Sequence, residues 1–327
     1  QLESAEFAQN DAAQSARPPK CPQGELCLLG STTDITNGSY GALDVRGNMM
    51  VGLAPCGLQI VDSTNPAEPK PMGCLDTPGG IYGVTIGPAG NYAYVAAGQD
   101  GVFVVDVSHP MNPALIGQFN PPGLIYAEDV EVKGHLIFIA DDNLHVADVS
   151  DPGQPQAISF YQTPGWTAQL SVSNGYAYLA DWGYGSGKGL HIVDVNNPAE
   201  PLFAAQRDVE FLHDVQAVGD KLYGVGMGLD VFDIAIPEDP QHLASLNENI
   251  SDYRKIKVSR THAYVTGMSS GVHVINITNS GTLSLATTVD IAGGCTGVDL
   301  FGGNKVAFTC GHWGGDFNGT KIYKTLK

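Results

Sequence analysis

Carboxylates, imidazoles and cations recur along this chain where they could carry chemistry. Glu128 and Asp129, Gln169, His213 and Asp214, and Arg254 and Lys255 stand at matching positions in successive segments, near the start of a strand-sized apolar run. Two carboxylates with an imidazole are a donor set for a divalent cation, whereas Arg254 and Lys255 together could hold an anionic ligand. The first arrangement is that of a metal-dependent hydrolase or lactonase, centred on Glu128 or Asp129 with His213 and Asp214. The second is recognition alone. The equivalent positions elsewhere are Ala42, Gly83 and Gly297, so only one side of a shared site would be charged. Because neighbouring strand residues face opposite ways, one member of each adjacent pair can point inward.

Aromatic residues mark a second candidate. All three tryptophans, Trp166, Trp182 and Trp313, fall in or beside loops at the same end of the segments. DWGYGSGKG (Asp181–Gly189) and GHWGGDFNG (Gly311–Gly319) combine Gly, Asp and an aromatic, which suits a rim that stacks on a ligand or partner. Asp141-Asp142-Asn143 adds carboxylates that could take Ca²⁺ or another divalent metal, without the D-x-D-x-D-G spacing of a dedicated loop. His145, His191 and His273 share one strand position, but on separate repeats they are dispersed and read as packed or hydrogen-bonded residues. There is no phosphate-binding Gly-rich loop, H-E-x-x-H or C-x-x-C-H.

The elements that must position these residues are repeats. GLHIVDVNNPAEP from Gly189 returns as LQIVDSTNPAEP from Leu58, VFVVDVSHPMNP from Val102, LHVADVSDPGQP from Leu144, LDVFDIAIPEDP from Leu229, VHVINITNSG from Val272 and a worn KIYKT from Lys321. A period of about 44 residues containing short strands is the signature of a propeller. Each unit holds four strand-sized runs, as in Ile81–Ile86, Tyr92–Ala96, Val102–Val107 and Leu115–Phe119. The third run is continuously apolar and must be covered on both faces. The repeated Asp, Asp106 for example, is placed to support the turn that follows it. The last unit lacks a fourth strand, and Glu25–Ser31 resembles the missing piece. The reading is therefore an all-β, seven-bladed propeller over residues 25–327, closed by an N-terminal strand, with residues 1–24 a flexible arm.

Sixteen Lys and Arg against 34 Asp and Glu give a net charge of −18, which argues against nucleic acid and anionic membranes as partners. No apolar run is long enough to span a bilayer. Cys295 and Cys310 are symmetric about a hairpin turn, Cys56 and Cys74 flank another strand pair, and Cys21 and Cys27 remain. Three such disulfides imply an oxidising compartment and a secreted or cell-surface chain whose signal has been removed. Asn37, Asn249 and Asn318 open glycan acceptor triplets; Asn276, inside a strand, is the weakest of the kind.

The repeat resembles the LVIVD-repeat family of exported and surface proteins of bacteria and archaea. The resemblance covers about residues 40–325 and includes GNYAYVA (Gly90–Ala96), GYAYLA (Gly175–Ala180) and HAYVTG (His262–Gly267). It implies a propeller with an extracellular role and no shared active site. The function expected is a binding or structural propeller that engages a protein or a glycan through one face, with self-assembly through the N-terminal arm as one form of it. The alternative is the hydrolase at the tunnel mouth.

Overall fold

The computed structural model describes residues 26–35, 42–182, 189–247, 252–278, 282–291, 293–302, 304–311 and 318–326. Their strands form seven four-stranded antiparallel sheets. The innermost strands, in blade order, are Leu43–Arg46, Gly83–Ile86, Asp129–Lys133, Thr167–Ser173, Asp214–Val218, Tyr253–Val258 and Cys295–Phe301. Each touches the next, and the first touches the seventh, so the ring is closed. Closure uses the N-terminal strand: Cys27–Thr32 pairs with Gly319–Lys324 as the outermost strand of blade 7.

The apolar third strands explain the packing. In blade 2, Phe103 and Val105 enter one core with Leu58 and Ile60 of blade 1, while Val102 and Val104 enter another with Val130 and Ile137 of blade 3. Alternation therefore divides one strand between two inter-blade cores, each fully buried apolar side chain contributing about 1.5–3 kcal/mol. The repeated aspartates accept backbone N–H bonds two residues on, from Thr64 to Asp62, Ser108 to Asp106, Ser150 to Asp148 and Asn196 to Asp194. The proline turns that these bonds support lie against the fourth strand of the preceding blade. A Cβ on Gly30, Gly73 or Gly117 would sit 2.1, 2.6 or 2.4 Å from the carbonyl oxygen of Pro66, Pro110 or Pro152. Blade 3 has Ser159 at the corresponding contact, and its hydroxyl donates to the Pro198 carbonyl at 2.6 Å.

Cys56–Cys74 and Cys295–Cys310 are disulfide-bonded, the second pair directly opposed across its hairpin. Cys27 is disulfide-bonded as well. Cys21, Asn37, Asn249, Trp313 and the arm 1–24 lie outside the described residues. Asn318 is exposed, while the Asn276 side chain bonds the Ser284 hydroxyl within its sheet. No helix among the described residues is long and apolar enough to cross a membrane.

Gly117→Ala tests the blade contact. The added methyl meets a neighbouring backbone instead of a movable side chain, so we expect a loss of about 1–3 kcal/mol in urea unfolding. Gly134→Ala, strained at φ 62° but with open space around it, controls for backbone conformation alone.

Candidate functional site

Innermost strands of neighbouring blades share no ladder, and their inward side chains line a polar central channel. Asp129, Asp214 and Lys255 are among the lining residues, as the sequence suggests. Glu128, His213 and Arg254 alternate away from it towards the mouth. The ring that sequence reading missed lies two residues further along each strand: Asp44, Thr85, Glu131, Ser171, Gln216, Lys257 and, by register, Asp299. Its signal was the same repeat, displaced by one strand period.

Five of these side chains accept backbone N–H groups that the neighbouring blade leaves open. Asp44 accepts from Ile86 (2.5 Å), Glu131 from Val172 (2.6 Å), Ser171 from Ala217 (3.2 Å), Gln216 from Val258 (2.6 Å) and Asp299 from Val45 (2.6 Å). One layer up, Asp129 accepts from Leu170 and Asp214 from Ile256. Lys257 can only donate. At that step Asp299 takes the Leu300 N–H with its own Oδ1, and Lys257 approaches the same oxygen at 3.5 Å. Burial, reinforced by Asp299, raises the Asp44 carboxyl to about 7, and burial also raises Asp214 and Glu131. Lys257 is held above the usual lysine range, chiefly by Asp299.

The mouth is a separate cluster. The Trp166 indole N–H donates to Glu128 Oε1 at 3.0 Å, and the Trp182 backbone N–H donates to the Trp166 backbone carbonyl. Trp182 meets the His213 ring edge-on with centroids 4.8 Å apart, and Arg254 lies both over that indole and 3.2 Å from His213 Nδ1. Lys255 reaches across to the Gln169 side-chain carbonyl. Burial and the Arg254 charge push His213 down to about 4, while burial pushes Glu128 up to about 7. The four residues of the hydrolase reading are thus divided between backbone amides, an indole and a guanidinium. Among the described residues no group of three or more His, Cys, Asp or Glu side chains comes together as a metal-holding set.

Around the mouth of blades 3 to 5, Trp166 (45% exposed), singled out from the sequence, is joined by exposed apolar side chains that the sequence did not reveal: Ile125 (58%), Phe211 (49%) and Met227 (47%). Ile125 and Phe211 precede the first strand of their blades by four and three residues and Trp166 by one, a repeated position that could have betrayed them. Buried polar groups hold the loops. Asp141, itself paired with His145 at 3.0 Å, accepts the Ile125 N–H. The Thr163 hydroxyl bonds the Asp142 and Gly165 carbonyls below Trp166. Phe211 has φ +53°, and its carbonyl lies so close to Gly226 that a Cβ there would be 1.8 Å away. His145, His191 and His273 are buried; His273 bonds the hydroxyls of Ser270 and Thr288.

Residues 86–121, 126–163 and 164–208 match a family model described as the LVIVD repeat. Comparison with curated proteins returned no match. Among solved structures, the crystal structure of a protein from Lactobacillus plantarum is similar with a TM-score of 0.64 and 15% identity, covering 79% of this chain and 87% of that one. At that identity the likeness is one of fold.

A carboxyl raised from its ordinary value to about 7 keeps its proton in the folded protein while the unfolded chain has lost it, so its contribution to stability is present at low pH and lost as pH rises to about 7. Glu128→Gln removes that dependence and keeps an acceptor for Trp166. The melting temperature of the variant should therefore gain on the parent between pH 5 and pH 8, and a constant difference would contradict the placement of Glu128.

Proposed function

We propose that this chain, a seven-bladed propeller carrying LVIVD repeats, is an exported binding protein that engages a protein partner through the mouth face of blades 3 to 5. The carrying observation is Phe211. A bulky aromatic residue at positive φ costs about 1–2 kcal/mol relative to ordinary backbone, and here the strain places a ring in solvent. Strain held at a surface by a close glycine contact suits presentation, since nothing in the core gains from it. Ile125, Trp166 and Met227 extend the same patch, and apolar side chains beside aromatic ones suit a protein surface better than a sugar.

Export is supported by the disulfides, which persist in oxidising compartments. Asn318 is then available to glycosylation. The tunnel is better read as framework than as a reaction chamber, because its carboxylates are engaged by backbone amides.

Phe211→Gly separates binding from folding. Relief of the strained backbone offsets glycine's entropy of about 0.5–1 kcal/mol, so stability should stay unchanged or rise by up to about 1 kcal/mol. Affinity for the partner, captured from the native source, purified and titrated by calorimetry, should fall at least about tenfold, as one lost hot-spot contact does. A variant that unfolds more easily yet binds normally would make Phe211 a packing residue and sink the assignment.

A further inference from the structure

Where this layer of the channel carries an aspartate, its Oδ1 accepts the N–H of the residue that follows and its Oδ2 the N–H offered by the next blade. Asp299 holds Leu300 (2.9 Å) and Val45 (2.6 Å) in this way, and Asp44 holds Val45 (3.0 Å) and Ile86 (2.5 Å). Blade 7 precedes blade 1 in the ring, so the two patterns meet on one donor, and the Val45 N–H is shared by Asp44 Oδ1 and Asp299 Oδ2. At the other bonded boundaries of this layer the residue before the amide is Thr85, Ser171, Gln216 or Lys257, so its own strand supplies no second carboxylate. The two carboxyl groups are in hydrogen-bonding contact, with Asp299 buried and Asp44 part-exposed. Carboxylates that share one site cannot both ionise without cost, so the pair retains one proton well above the ordinary carboxylate range.

Lys257 of blade 6 is the cation beside the pair, 3.5 Å from Asp299 Oδ1, and Asp214 and Glu131 act on it from blades 5 and 3. Asp129 and Lys255 line the channel one layer towards the mouth. On the strands packed against the pair, Arg46 is bound to the Pro88 carbonyl, Lys305 lies over Phe301, Arg254 lies over Trp182, and His262 bonds the Thr261 hydroxyl. With one proton on the pair, Lys257 balances the remaining charge; with none, one carboxylate is left over.

We infer that Asp44 and Asp299 are a proton latch on the boundary between blades 1 and 7, where residues 254 positions apart in the chain close the ring. While one proton is shared, the pair ties the two blades through Val45. When that proton leaves to solvent through the channel, the carboxylates repel and this boundary loosens ahead of the others. The ring thus tightens in acid and eases above neutral pH, independently of which face binds a partner.

Asp44 is raised from 3.8 to about 7, above its unfolded value, so the latch contributes its full stability below about pH 4 and loses it as pH rises through about 7. Amide hydrogen exchange, read as the protection of Val45 relative to Val258, separates the seam from global unfolding, since the Gln216 acceptor at Val258 does not titrate. In the parent chain that ratio should fall at least about tenfold between pH 5 and pH 8, the equivalent of one pKa unit in the pair. Asp44→Asn keeps an acceptor for Ile86 and offers Asp299 a donor at every pH, and should hold the ratio within about twofold. Carboxyl-carbon NMR titration of the parent, labelled at Asp, should show one aspartate titrating near pH 7, and it decides the question even if Asp44→Asn fails to fold. A ratio indifferent to pH, or no aspartate titrating between about pH 6 and pH 8, would overturn the latch. So would an Asp44→Asn chain that keeps the parent's pH dependence, which would assign the effect to another carboxyl such as Glu128.

Discussion

Seven sheets arranged around an axis leave one problem unsolved by their own ladders: the innermost strands face one another across blade boundaries with backbone N–H groups unpaired. A buried amide without an acceptor costs about 1–3 kcal/mol. At five of the seven boundaries the solution is a side-chain acceptor reaching to the next blade: Asp44 to Ile86, Glu131 to Val172, Ser171 to Ala217, Gln216 to Val258, and Asp299 across the closure to Val45. The proline turns and their facing glycines make the corresponding joint at the outer rim. Between these two rings lie the apolar inter-blade cores, which hold blades together without choosing their registration. The side-chain bonds are directional, and they set the angle at which each blade presents its loops.

That division of labour has a functional consequence. Several polar groups in the channel are engaged in joining blades, which supports the proposal that a visitor is met on the face. There the residues are positioned from beneath. Asp141 with His145 anchors the Ile125 loop, Glu128 anchors the Trp166 indole, and Gly226 lets the Phe211 loop approach the turn of blade 5. A rigid patch with its side chains already ordered loses little further entropy on binding.

Much of the framework could be read from the repeat. The unbroken apolar third strand demanded cover on both faces, and the missing fourth strand of the last unit pointed to closure by the N-terminus. The spacing of Cys295 and Cys310 about a hairpin gave their pairing, since antiparallel register follows from symmetry about a turn. The channel was legible only in part. Matching one position per blade found Asp129, Asp214 and Lys255, but the ring two residues on escaped because Ser171, Gln216 and Lys257 do not look alike as a set. What unites them is a hydrogen-bonding geometry. Exposed Phe211 and Ile125 were illegible for a different reason: an apolar residue in a turn looks the same whether it is buried or presented, and a positive φ leaves no trace in residue type when the residue is Phe.

The central claim is that inter-blade acceptors fix the ring. Site-resolved amide hydrogen exchange tests it most directly, read at Ile86, Val172 and Val258 in the parent chain and in Glu131→Leu. The account predicts protection of all three amides near the level of global unfolding, with Val172 alone released by the substitution. Rapid exchange at these amides in the parent, or a Val172 amide indifferent to the loss of Glu131, would contradict it.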